Sequence, residues 1–103
     1  MFRLTVVYPA TAGSHFDFDY YVQSHIPMVA SLIGASVVRT EATKGLSGAG
    51  GSAAPYAALG HIYLQDLDGL EAAFQHHGAR IRNDVPNYTN IAPVVNIEEI
   101  VSP

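Results

Sequence analysis

Cysteine is absent from this 103-residue chain. That excludes disulfides, thiolate catalysis and cysteine-ligated metals, and it suits a reducing cytoplasm. Charge is also scarce. Asp, Glu, Lys and Arg make up 14% of residues, against about a quarter in an ordinary folded domain. Five Lys plus Arg in a chain of net charge -4 form no basic stripe for phosphates and no polybasic patch, so nucleic acid and an anionic membrane surface are excluded as partners. No apolar stretch approaches the roughly 20 residues of a membrane helix. The opening MFRLTVVYP reaches Pro9 before a signal peptide's apolar region has formed. The expected location is the cytoplasm.

What is abundant is apolar surface. Hydrophobic residues are 49% of a chain long enough for one domain and one modest core. With so little charge to cover the outside, part of that surface is expected to face a second subunit.

The order of elements follows from local chemistry. Phe2 to Tyr8 is rich in β-branched and aromatic residues and stops at Pro9, a first strand. A helix is expected from about Asp17 to Ile33, with acidic residues near its start and Gly34 at its end. Ala35 to Gly45 reads as a second strand, Gly45 to Pro55 as a glycine-rich loop, and Tyr56 to Leu64 as a third strand. Asp66 or Asp68 can cap a second helix over Leu67 to Val85, which Pro86 ends, and Pro93 to Val101 is the last strand. We see no linker, so residues 1–103 are expected to form one domain. The order β-α-β-β-α-β predicts an α+β, ferredoxin-like fold with both helices on one face of an antiparallel sheet. The strands carry apolar residues on both faces, Leu4 and Val6 against Val7, and Val95 and Ile97 against Val94 and Ile100. Two helices cover one face only, so the other predicts a homodimer.

Within the first helix, Phe18, Tyr21, Val22, His25, Met28, Val29, Leu32 and Ile33 fall on one stripe at about 100° per residue, and Tyr20 points elsewhere. His25 lies near the stripe's centre. Pro27 lacks the N–H that would bond the Gln23 carbonyl, so a kink or break is expected around His25. A freed carbonyl beside an imidazole on a packing face fits a small polar pocket. It also fits a core histidine whose ring nitrogens find partners. On the second helix, Leu70, Ala73, Phe74, His77 and Ile81 share a face, which makes His77 a packing residue and leaves His76 in solvent. Adjacent helical histidines diverge too far to chelate one ion, and no metal site is expected. Asp84 opposes the helix dipole in the last turn. Either it bonds a local turn in NDVPNYT, or it serves the pocket. His61 and Tyr63 share one face of the third strand, opposite Ile62.

With these segments placed, the sequence resembles the EthD family of dimeric α+β barrel proteins. The resemblance runs through Tyr8, Pro9, Phe16, Asp17, Tyr20, Tyr21, His25, Pro27 and Met28. It continues through KGLSGAGG and the third strand to Asp84, Asn87, Tyr88 and Thr89. It implies a ferredoxin-like protomer whose sheet joins its mate's. It also implies a part in degrading ethers and other organic compounds or in tailoring aromatic metabolites, often beside an oxygenase and commonly under the name reductase. The resemblance assigns importance to His25 and Asp84.

Two functions are consistent with these residues. One is a cofactor-independent acid/base enzyme, an isomerase, cyclase or decarboxylase, acting on a small apolar or aromatic compound. His25 would exchange the proton, Asp84 would orient it, and Tyr21, Met28, His61, Tyr63 and Tyr88 would contact the substrate. GLSGAGG joins two strands, opens no helix and lacks a phosphate loop's Lys-Ser/Thr ending, so no nucleotide cofactor is expected. It reads as a flap over the pocket or as an ordinary loop. The other function is a non-catalytic accessory or ligand-binding protein of an oxygenase system.

Overall fold

The computed structural model describes residues 1–103. Four strands, β1 (Phe2–Pro9), β2 (Val37–Lys44), β3 (Tyr56–Leu64) and β4 (Val94–Glu99), form one antiparallel sheet in the order β2-β3-β1-β4. Between β1 and β2 runs a helical segment of three parts: α1 (Phe18–Tyr20), a π-helical turn (Tyr21–His25) and α2 (Ile26–Ile33). Helix α3 (Asp68–Asp84) joins β3 to β4. The fold is α+β and ferredoxin-like, with the expected element order. No helix is long and apolar enough to cross a membrane.

The helix ends follow the expected chemistry. The Asp17 side chain accepts from the Tyr20 N–H at 3.1 Å, which satisfies an amide the helix cannot pair itself. Gly34, at φ 85°, closes α2 and returns its N–H to the Ala30 carbonyl at 2.9 Å. Asp66 accepts from the Asp68 N–H at 3.1 Å and from the Ser36 hydroxyl at 2.7 Å, so it ties the start of α3 to the entry of β2.

The break at Pro27 takes a specific form. The Ile26 N–H bonds the Tyr21 carbonyl, five residues back, instead of the α-helical partner. One extra residue in a turn rotates everything beyond it relative to everything before. The single stripe read from the sequence is corrected accordingly. Val22, placed on it, is 50% exposed, while Ile26, placed off it, is 8% exposed.

The strand register sorts the two sheet faces. Residues directly opposite in antiparallel strands share a face. Leu4 stands between Ile62 and Ile97, and Val6 between Gly60 and Val95, all toward the helices. There Leu4, Val29, Ile33, Ile62, Leu64, Leu70 and Ala73 form one buried cluster. Tyr8, Tyr21, Ile26, Ala58, Tyr88 and Ile91 form a second, more aromatic one.

The other face carries no helix, and it is less apolar than the strand pattern implies. Leu59, Val7 and Val94 make one apolar row across it. The rest is a polar network. Arg3 Nε donates to Glu98 Oε1 at 2.7 Å, the Thr5 hydroxyl donates to the same oxygen at 2.5 Å, and the Arg39 guanidinium lies 3.8 Å over the Tyr63 ring. Since Thr5 spends its proton on Glu98, its oxygen accepts from His61 Nδ1 at 3.1 Å, which sets that ring's tautomer.

The packing face of α3 also shifts along its length. Leu70 and Ala73 are buried with Val29 and Ile33 of α2, but beyond Phe74 the residues that border the space under the helix are the half-buried Gly78, Ile81 and Val85 and the exposed Arg82. His77 is therefore exposed, like His76. Its expected packing role is corrected because the side of α3 that borders the cavity is turned away from His77 toward Gly78 and Arg82, while Ile81 stays against the Leu4–Leu70 cluster.

Candidate functional site

A cavity of about 330 Å³ opens between the helices and the sheet, lined by Leu4, Val6, Tyr8, Gly60 and Ile62 of the sheet, Tyr21, His25, Ile26 and Val29 of the first helical run, and Phe74, Gly78, Ile81, Arg82 and Val85 of α3 and its end. Pro93 and Val95 complete the rim, and His61 borders it between Gly60 and Ile62. A broader depression of about 610 Å³ lies next to it and shares Arg82, Val85, Pro93 and Val95, but includes neither His25 nor Asp84.

His25 and Asp84 meet. Nδ1 of the buried ring lies 2.8 Å from Asp84 Oδ2. The other carboxylate oxygen accepts from the Tyr20 hydroxyl at 2.6 Å and from Asn87 Nδ2 at 3.0 Å. What brings these groups together is a lacing of the loop before α1 to the segment after α3. The Asp17 N–H donates to the Tyr88 carbonyl at 2.8 Å, and the His15 N–H to Asn90 Oδ1 at 3.0 Å. The Thr89 hydroxyl donates to the His15 carbonyl at 2.7 Å, and Asn90 Nδ2 to the Gly13 carbonyl at 3.2 Å. Phe16 and Thr89 form an isolated β-bridge within this lacing.

The electrostatics define the protonation state. Burial pushes the His25 pKa below its ordinary 6.5, against the raising effect of Asp84. Burial alone would raise Asp84, but hydrogen bonds from Tyr20, His25 and Asn87 outweigh it, and the pKa lies below 3.8. An ionised carboxylate only accepts, so the neutral ring carries its proton on Nδ1. Nε2 then has a free lone pair. It has no hydrogen-bond partner in the chain, and no fully enclosed side-chain nitrogen or oxygen lacks one, so Nε2 opens on the cavity that His25 lines. Asp84, in its turn, holds the Tyr20 phenol in its protonated form by accepting a hydrogen bond from it.

Aromatic rings fix the imidazole from two sides. Tyr88 stands 4.6 Å away between centroids, and Tyr21 stacks at 5.7 Å and 16°. The Tyr8 and Tyr88 hydroxyls share a hydrogen bond of 2.7 Å. Burial drives the pKa of Tyr8, Tyr21 and Tyr88 upward, so all three remain phenols. Gly60 makes room for Tyr21, since a Cβ there would collide with the Tyr21 hydroxyl.

The sequence-derived site residues separate into four groups. His25 and Tyr21 line the cavity, while Asp84 and Tyr88 support the ring from behind. Met28 packs against the Leu4–Leu70 cluster and does not line the cavity. Tyr63 and the His61 ring lie on the helix-free face, where strand alternation puts them with Thr5 and Arg3. No residue of the glycine-rich loop lines the cavity either. Tyr20, set aside by the helical wheel, is joined to Asp84. The signal for it was Pro27, because the turn that accommodates this proline re-phases the helix. Tyr8 and Asn87 are marked only by the family resemblance and given no role, and Arg82 is not singled out at all. No three His, Asp or Glu side chains converge to hold a metal ion.

Fold and site together describe a ferredoxin-like α+β protein with a His–Asp pair at one end of an apolar cavity. The EthD domain family matches residues 13–92, and the chain belongs to that family. It is similar to an EthD-like protein from Ralstonia eutropha JMP134, with 37% identity over 98% of this chain and 92% of that one and a TM-score of 0.89. An ethyl tert-butyl ether EthD family protein from Bacillus halodurans C-125 shares the fold at 17% identity, over 98% of this chain and 99% of that one, with a TM-score of 0.66. So does a dimeric ferredoxin-like protein from an uncultured marine organism, at 8% identity over 100% and 97% of the two chains, with a TM-score of 0.56. No curated protein matches.

Proposed function

We propose that this protein is a cofactor-independent acid/base enzyme acting on a small apolar or aromatic compound. The observation that carries the reading is the 2.8 Å contact between His25 Nδ1 and Asp84 Oδ2, which leaves Nε2 free on the cavity side. Neutral Nε2 takes a proton from a substrate carbon or hydroxyl. The imidazolium so formed is stabilised by the Asp84 carboxylate, and the protonated Tyr21 phenol donates to the oxyanion that develops on the substrate. Return of a proton from the imidazolium to a different substrate atom completes an isomerisation with no external reagent, and exchange of that N–H with solvent before its return labels the substrate in D2O. Tyr20 and Asn87 hold Asp84, and Tyr88 keeps the ring plane in place.

Hydrogen–deuterium exchange tests this directly. A panel of aryl ketones and arylpyruvates in D2O is expected to show faster deuterium incorporation with the protein than with buffer, and His25→Ala is expected to abolish the excess while folding normally. If ligands bind but His25→Ala exchanges every panel member as fast as the parent protein does, the catalytic reading fails. The second reading then stands, a ligand-binding accessory of an oxygenase. The predominantly apolar cavity lining supports that reading, because it can hold a hydrophobic metabolite without chemistry.

The working unit we propose is a homodimer in the cytoplasm. The helix-free sheet face supports it, with the Leu59–Val7–Val94 row beside a ready-paired polar network, and Val94 57% exposed. The dimeric state named for the marine ferredoxin-like protein points the same way. Sedimentation at micromolar concentration decides the point; a stable monomer would remove it.

A further inference from the structure

We propose that Arg82 is the specificity-determining anchor of the cavity, and that the ligand is an apolar or aromatic carboxylic acid bound as its anion. This rests on the reading of the cavity as the chamber served by His25. Arg82 is the one lining side chain of fixed charge. Its guanidinium is free: the ion pairs of the chain are Arg3–Glu98, His25–Asp84 and Arg39–Glu41. Asp84, two residues further on, is held by Tyr20, His25 and Asn87.

The Arg82 side chain is exposed and runs along its own helix. It folds back one turn over Gly78, where a Cβ would stand 3.0 Å from Arg82 Nη1. Glycine is disfavoured over alanine inside a helix, and here its missing side chain lets the guanidinium lie close to the helix, in a place that a methyl would crowd by a few tenths of an ångström. A cation in the last turn does complement the helix dipole. That effect requires neither a glycine beneath the side chain nor a place in the lining between Ile81 and Val85.

The chemistry of the complement follows. A planar fork of N–H donors without a protein acceptor matches a carboxylate. The surrounding wall, Phe74, Val29 and Ile62 among it, takes a hydrocarbon body. In a chain of net charge -4, an anion is otherwise repelled, so one cation at the mouth decides which ligands enter. The carboxylate sits at the rim, and the carbon framework reaches inward toward His25.

The test compares two probes of nearly equal shape, 2-naphthoate and 2-naphthalenemethanol, on the full chain. The protein has no tryptophan, so naphthyl fluorescence reports binding directly. We expect the carboxylate to bind at least tenfold more tightly than the alcohol, with the margin shrinking as salt is raised. Arg82→Gln should bring the two within about twofold without weakening the alcohol, Arg82→Lys should keep part of the margin, and Gly78→Ala should reduce it. Circular dichroism verifies that each variant folds. Equal affinities in the parent protein, a margin that survives Arg82→Gln, or no binding of either probe would overturn the proposal. The two readings fail separately. If the alcohol binds and perturbs the His25 ring nitrogen resonances without any carboxylate margin, the anchor is lost and the acid/base role stands. If the margin depends on Arg82 while His25→Ala leaves proton exchange intact, the anchor stands and the catalytic role is lost.

Discussion

The Tyr20 hydroxyl and the His25 ring hold opposite oxygens of one carboxylate, at 2.6 Å and 2.8 Å from Asp84 Oδ1 and Oδ2. Five positions apart in a regular α-helix, the two side chains would differ in direction by about 140°. The π-helical turn closes that angle and lets both face the end of α3.

Deleting one residue from that turn should undo the arrangement. Removal of Gln23, which is exposed, is expected to restore α-helical spacing and rotate either Tyr20 or His25 away from Asp84. The imidazole pKa, followed by NMR, should then shift from its value in the parent protein. An unchanged titration in a folded deletion variant would mean that the turn is not what aligns them.

Asp84→Asn removes the charge that stabilises the imidazolium while keeping the shape. Burial then acts on His25 without its main opposing influence, so its pKa should fall further below 6.5 than it already lies. Proton exchange on any responsive substrate should drop by about two or more orders of magnitude, in the range lost when an orienting carboxylate is neutralised. Stability should fall by about 1–3 kcal/mol through the lost charged hydrogen bonds.

The acid limb of stability has a defined sign. Burial lowers the pKa of both His25 and His61, so below pH 6.5 the unfolded chain binds protons that the folded one refuses. Their contribution is complete above pH 6.5 and is lost as the pH falls through the folded values. The hydrogen bond from Arg3 is the main cause that brings Glu98 from 4.5 to about 2, so its contribution is complete above pH 4.5 and disappears toward pH 2. Urea denaturation at pH 7.5 and pH 5.5 should show lower stability at the acid point. His25→Phe should shrink that difference and leave the share of His61, and Glu98→Gln should lower stability above pH 4.5 and remove the further loss between pH 4.5 and pH 2.

Gly60→Ala should destabilise by about 1–3 kcal/mol, the range of an overpacked core, because the new methyl collides with the Tyr21 hydroxyl. Tyr21→Phe in the same background should recover part of the loss. A double-mutant cycle by chemical denaturation measures the coupling, and strictly additive effects would show that the two groups do not compete for one space.

Much of the molecule follows from short-range pattern. Pro9, Gly34, Pro86 and the apolar runs between them mark four strands and two helical regions because backbone sterics and capping act over a few residues. Strand alternation likewise separates His61 and Tyr63 from Ile62, and the structure keeps them apart. Sheet pattern overstated the apolar character of the helix-free face, since the charges that cover Thr5 and His61 come from three different strands. The helical wheel misplaced Val22, Ile26 and His77. It assumes one period and one fixed inner face, whereas the first helical run changes phase and the inner face of α3 drifts toward Gly78 and Val85.

The sequence by itself determined the element order, the interruption before Pro27 and the presence of a histidine beside it, because a missing N–H and a 3.6-residue period are properties of neighbours. Only the tertiary structure decided that His25 meets a carboxylate 59 residues away and that Arg82 borders the cavity. Both depend on how loop 13–17 is laced to residues 88–90 and on which face of α3 looks inward. Those are outcomes of packing between segments whose local patterns carry no record of each other.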